Sequence, residues 1–163
     1  MPITTEFKAE ARGERDIVVT RSFNAPRELV FEALTTPALL KQWLGVFNGW
    51  TLPECEMDLR VGGRYRYLWR GPAGEPMGLT GTIREFKAPE RIVSSERFDD
   101  PWYPGEAITV FSLAERSGRT TLTLTITYEN RDARDSVMKI GMATGLAASY
   151  DALEQVLAAR GTH

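Results

Sequence analysis

The sequence predicts an α+β domain in which one antiparallel sheet carries a long C-terminal helix. Three observations predict it. Period-two alternation recurs in short segments through residues 17–128, glycine and proline punctuate those segments at strand-length intervals, and residues 132–159 change to a helical period without proline. A helix with an apolar arc needs a surface to cover that arc, and the sheet is the only one available.

Ile17, Val19 and Phe23 alternate with Val18, Thr20 and Ser22, a strand pattern rich in β-branched residues. Asn24-Ala25-Pro26 stops it; Asn24 is a candidate N-cap and Pro26 suits a first helical turn. Leu29, Val30, Ala33 and Leu34 then fall at helical spacing. Pro37 repeats the device, because it disfavours helical geometry at Thr36 yet opens the next turn, with Leu40 and Trp43 on one side. Two short helices therefore follow the first strand.

Six more strands fit between the later glycine and proline marks, for a sheet of about seven strands. The clearest are 64–70, where Tyr65, Tyr67 and Trp69 alternate with Arg64, Arg66 and Leu68, and 120–128, where Leu122, Leu124, Ile126 and Tyr128 alternate with threonines. Segment 52–60 sets Cys55, Met57 and Leu59 against an acidic face of Glu54, Glu56 and Asp58. Segments 78–86, 92–98 and 107–114 have mixed patterns that leave their inward face open. Projected at 3.6 residues per turn, 132–159 place Met138, Met142, Gly145, Leu146, Ser149, Leu153 and Val156 on one arc with Gly141, Ala148 and Ala152. Lys139, Tyr150 and Glu154 fall elsewhere. Gly141 and Gly145 each cost a helix interior roughly 1 kcal/mol against alanine, so small size must be favoured there.

Composition bounds the function. The 163 residues suit one domain, expected over 16–160 behind a flexible charged arm, 1–15. A hydrophobic share of 42% is enough to fold, and a net charge of −2 lacks the basic excess that phosphate backbones demand, so nucleic acid is not an expected partner. The sequence contains neither a signal peptide nor an apolar run of about 18 residues, so no membrane span is expected and the protein reads as cytoplasmic. Cys55 is the single cysteine, which excludes an internal disulfide, and His163 is the single histidine. Most zinc sites and most Ser-His or Cys-His nucleophile pairs are thereby removed. A P-loop, a dinucleotide fingerprint and a metal-ligand cluster are all missing, and neither cofactor nor metal is expected.

The segments Asn24-Ala-Pro-Arg-Glu-Leu-Val-Phe, Lys41-Gln-Trp-Leu-Gly and Leu59-Arg-Val-Gly-Gly-Arg-Tyr carry a resemblance. They are similar to the START-like SRPBCC superfamily and, within it, to bacterial homologues of the activator of the heat-shock-protein-90 ATPase. The resemblance covers nearly the whole domain from Asp16 onward. It implies a helix-grip (START/Bet v-like) fold, in which a curved antiparallel sheet wraps the C-terminal helix and leaves a cavity between them. Leu44 and Leu146 stand where relatives often carry aromatic residues, which changes the cavity's expected shape.

On that fold Tyr65, Tyr67 and Trp69 either line the cavity, with hydroxyls that orient a guest, or pack as ordinary core. Met138 and Met142 form an adaptable wall or fill gaps. Trp43 and Trp50 close one end of the cavity or hold the short helices to the sheet. Trp102 and Tyr103, in the Pro-bounded loop 100–105, make a lid, a partner contact, or a segment folded back on the rim. Phe111, Gly145 and Leu146 complete the expected ligand-binding set. Glu96 and Arg97 are adjacent in a strand, so one of them must point inward; Arg97 joins the set and Glu96 is its rival. Cys55 reads as a buried thiol, since no histidine is available to activate it.

The expected function is binding of a small hydrophobic or aromatic molecule between sheet and helix, without a catalytic residue. Two alternatives stay open. One is a cyclase- or hydrolase-type enzyme that uses Glu96, Arg97 or a cavity tyrosine. The other is a co-chaperone-like protein in the stress response, with a heat-shock-protein-90 homologue as partner. A homodimer is compatible with the sequence.

Overall fold

A computed structural model describes residues 7–101, 103 and 105–161. Twelve elements follow in order: β1 (Lys8–Arg12), β2 (Asp16–Phe23), α1 (Arg27–Thr35), α2 (Pro37–Trp43), β3 (Thr51–Met57), β4 (Arg64–Arg70), β5 (Pro76–Lys87), β6 (Arg91–Phe98), β7 (Ala107–Arg116), β8 (Arg119–Thr127), α3 (Arg131–Lys139) and α4 (Met142–Gly161). The strands form one open antiparallel sheet in the order β1-β2-β8-β7-β6-β5-β4-β3. Only the β2–β8 pairing joins strands distant in sequence, and β1 and β3 are the edges. This is the helix-grip architecture that the resemblance implied. No helix among the described residues is long and apolar enough to cross a membrane.

The eighth strand is β1, which occupies part of the segment expected to be a flexible arm. It pairs with β2 from Lys8↔Thr20 to Arg12↔Asp16. Charge in an exposed hairpin hides its anchor from a hydropathy reading. That anchor is Arg134 of α3, only 3% exposed, whose Nη1 donates to the carbonyls of Asp16 at 2.9 Å and Gly13 at 3.3 Å. A buried guanidinium is tolerated when its donors are used, and Nε donates to Asp135 Oδ1 at 2.7 Å.

The helical insert starts one step later than expected. Asn24 does not cap α1; Pro26, in extended geometry, is the N-cap residue, and its carbonyl accepts from Leu29 and Val30. In α2 Pro37 occupies the first turn as predicted, and Trp43 at its end donates through Nε1 to the Ala33 carbonyl at 3.1 Å. That bond ties the two short helices together with an indole that is 1% exposed.

The C-terminal helix is divided. Asn130 caps α3 by accepting from the Ala133 N–H at 2.8 Å, and the helix ends where Gly141 takes φ +81°. A left-handed residue stops an α-helix, and glycine adopts that conformation without a Cβ penalty. Within α4, Tyr150 stands four residues after Leu146 and three before Leu153, on one face of the helix. Tyr150, assigned outside the apolar arc, is in fact 1% exposed, and α4 buries Ser149, Tyr150, Leu153 and Leu157. Phe23 and Trp43 pack around the Tyr150 ring at 5.9 and 6.0 Å. The core lies between these helices and the sheet's inner face, on which Ile17↔Ile126 and Val19↔Leu124 are paired.

A candidate ligand cavity between sheet and helices

Alternation fixes which side chains face inward. Tyr65, Tyr67 and Trp69 of β4 share the inner face with Leu79 and Ile83 of β5, Ser94 and Glu96 of β6, Thr109 and Phe111 of β7, and Leu124 and Ile126 of β8. Met142, Gly145, Leu146, Ser149 and Tyr150 of α4 form the opposite wall. Between them lies a cavity of about 440 Å³. Leu59 and Ile140 border it and are 42% and 52% exposed, which places its mouth between the β3–β4 turn and the α3–α4 junction.

Two glycines make the room. On the sheet, Gly81 is paired with Tyr65 on one side and Glu96 on the other. A Cβ at Gly81 would stand 1.9 Å from Tyr65 Cζ, so the missing side chain is the bed on which the tyrosine ring lies. The ring thereby crosses β5, and its hydroxyl donates to Glu96 Oε2 at 2.8 Å. On the helix, a Cβ at Gly145 would meet the Phe47 ring at 3.1 Å, so small size at that position admits Phe47 to the cavity wall.

The Tyr65, Tyr67 and Trp69 rings form a ladder with centroid spacings of 5.1 and 5.7 Å. Trp69 Nε1 donates to the Leu44 carbonyl at 2.9 Å, which fixes the ladder's end to the segment after α2. Tyr103 turns inward, is 5% exposed, and meets Tyr128 edge-on at 5.0 Å. Of the alternatives for its loop, folding back on the rim describes Tyr103; Trp102 lies outside the described residues.

Burial dominates the electrostatics. Among the described residues Glu96 borders the cavity with no basic side chain in the lining, and desolvation pushes its carboxyl up to about 7, opposed by the Tyr65 hydrogen bond. Burial holds the Tyr65 and Tyr67 phenols well above their usual range, and the Glu96 charge adds to this in both. Tyr103 and Tyr128 are raised in the same sense. Arg97, in contrast, is exposed on the outer face and does not reach the cavity, because Glu96 has taken the inward position. The nearby outer-face pair is Arg66 and Asp99, joined by two 2.7 Å bonds across Gly78.

Of the other expected residues, Trp43, Phe111, Met142, Gly145 and Leu146 line the cavity, whereas Trp50 and Met138 pack against the core outside it. Val137, one residue before Met138, takes the lining place. Glu96, Phe47, Tyr103, Tyr128 and Gly81 are additions to the expected site. Cys55 is buried beside Tyr67 on the neighbouring strand, and desolvation raises its thiol from 9.0 to about 11. The raised pKa leaves far less thiolate, a loss partly offset by the greater nucleophilicity of a more basic thiolate. At pH 8 the reaction of Cys55 with Ellman's reagent is therefore expected to run slower by about tenfold or more in the native protein than in urea.

Residues 24–158 match the Activator of Hsp90 ATPase homolog 1-like protein family. The chain belongs to that family. Among solved structures, a protein of Rhodobacter sphaeroides is similar to this chain with 34% identity over 94% of this chain and 99% of that one, TM-score 0.89. A protein of Nitrosomonas europaea follows with 25% identity over 91% and 97%, TM-score 0.81. One of Mycobacterium smegmatis shares 23% identity and the same fold over 99% of both chains, TM-score 0.82. No curated protein matches the chain. Family and fold together support a ligand-binding architecture in general terms.

Proposed function

We propose that this protein binds a small hydrophobic or aromatic molecule between its sheet and α4. The observation that carries the reading is the cavity of about 440 Å³, walled mainly by aromatic and aliphatic side chains with few polar groups among them. Ligand sites are commonly of roughly 300–1,000 Å³ with this division of labour, apolar walls for affinity and sparse polar groups for orientation. Naphthalene is expected to raise the melting temperature in a saturable way. Met142→Trp, which fills space from the helix wall, should weaken that binding about tenfold or more while the protein stays folded. The reading fails if naphthalene and larger apolar probes leave the melting temperature unchanged at saturating concentration.

A second reading has its own observation. Glu96 is held close to neutrality and hydrogen-bonded to a phenol inside an apolar chamber, the setting in which a carboxyl serves as general acid or base. A cyclase- or hydrolase-type step would then lose turnover in Glu96→Gln while keeping substrate affinity. Action on a heat-shock-protein-90 homologue, which the family description suggests, would instead use the outer surface, and no feature described above favours it.

A further inference from the structure

The guest's chemical class can be narrowed further, provided that the carrier reading above holds. Apart from tyrosine phenols, Glu96 is the one ionisable side chain among the described residues that line the cavity, and they include no lysine, arginine or histidine. Most buried carboxylates are paired with a cation. Among the described residues, the side-chain bond that favours the charged form here is the one from Tyr65. A carboxylate has about four acceptor positions, so one phenol leaves it with unused capacity. Nearby are the flat faces of the Tyr65, Tyr67 and Trp69 ladder, electron-rich surfaces that attract organic cations.

We propose that the cavity selects lipophilic amines, seating the ammonium group on Glu96 and the apolar body between the aromatic ladder and α4. The missing counter-charge of the wall is supplied by the guest. A lipophilic carboxylic acid meets the opposite situation, like charge against Glu96 and no cation to receive it. A neutral alcohol fits by shape but forms only an uncharged hydrogen bond.

The pH dependence follows from the groups around Glu96. Tyr65 and Tyr67 face it from β4, Tyr103 from the β6–β7 connection and Tyr128 from beyond β8; Cys55 lies behind Tyr67, and Tyr150 lines the α4 wall. Burial raises the pKa of all six, so none competes for a proton between pH 5 and 9. Ammonium binding therefore requires Glu96 itself to ionise, releases a proton at acid pH, and weakens as pH falls below about 7.

The test is calorimetric titration with three matched probes, naphthylmethylamine, naphthylmethanol and naphthoate, at pH 8 and pH 5.5. The amine is expected to bind about ten- to a hundredfold more tightly than the alcohol at pH 8, the span of a charge-assisted hydrogen bond. That advantage should shrink at pH 5.5, with proton release visible as a dependence of the heat on buffer ionisation. Glu96→Gln, which keeps an acceptor for Tyr65, should reduce the amine to the level of the alcohol. Alcohol or naphthoate binding as tightly as the amine, or an amine advantage that survives in Glu96→Gln, overturns the inference and leaves the carrier reading standing. Failure of all three probes to bind overturns both.

Discussion

Glu96→Gln is expected to raise the melting temperature at pH 8 and to leave it nearly unchanged at pH 4. Glu96 titrates near 7 in the folded protein against an ordinary value of 4.5, so the folded state holds its proton more tightly than the unfolded state does. The stability from this group is therefore complete below about pH 4.5 and is lost as pH rises through 7. Ionised Glu96 at pH 8 then costs the fold on the order of 3 kcal/mol, the distance from 4.5 to about 7 taken at about 1.36 kcal/mol per pH unit. Glutamine has the shape of the protonated acid and accepts from Tyr65 in its place. For a domain of this size the gain corresponds to about 6–12 °C, readable from thermal melts of the two proteins across the pH range. A variant no more stable than wild type at pH 8 would show that Glu96 is compensated by a charge it does not have in the structure. A stabilising substitution at an interior polar position is the usual mark of a residue kept for function rather than for folding.

Gly81→Ala should have the opposite effect, a destabilisation of about 3 kcal/mol together with loss of ligand binding. The added methyl would lie 1.9 Å from Tyr65 Cζ, far inside contact distance, and a β-sheet backbone on both sides restricts relief. Tyr65 must swing into the cavity, which forfeits its bond to Glu96 and fills part of the space a guest needs. Overpacking typically costs about 1–3 kcal/mol, and a hydrogen bond to a charged acceptor adds about 1.5–3 kcal/mol. Tyr65→Leu in the same chain removes the ring that the methyl strikes. The double variant should thus be less destabilised than the sum of the singles, a coupling measurable in a urea-unfolding cycle. Additive losses would mean that the ring does not rest on Gly81.

The contrast between these two positions shows what sequence patterning can and cannot reveal. Alternation in 64–70 and 120–128 is enough to assign the inner face of β4 and β8, because one side of each strand is apolar and the other is not. On β6 the pattern Ser94, Ser95, Glu96, Arg97 is polar on both faces, so only pairing decides the inward residue, through the row Tyr65↔Gly81↔Glu96. Gly81 carries no signal of its own: its role depends on a ring supplied by the next strand. The helical projection fails for a related reason. It draws the arc too narrowly: within α4 Tyr150 follows Leu146 by four residues and precedes Leu153 by three, a spacing that puts all three on one face and brings Tyr150 to the interior. The glycines at 141 and 145 do stand out in a helical pattern, yet the first ends a helix and the second makes way for Phe47. Tyr103 is hidden by its setting between prolines, which reads as surface loop, although its partner Tyr128 closes over it.

Because the sheet does not close on itself, it has two free margins, and both are built to repel further strands. The outer side of β1 is nearly all exposed and carries Lys8, Glu10 and Arg12 along five residues. On β3, Pro53 withdraws one amide donor, Glu54 and Glu56 place negative charge beside it, and a register shift between Thr51 and Glu54 bends the backbone away from a flat template. A fold with a hollow of about 440 Å³ between sheet and helices gives up packing there and opens locally more often than a solid one; armoured borders let it do so without recruiting its neighbours into fibrils.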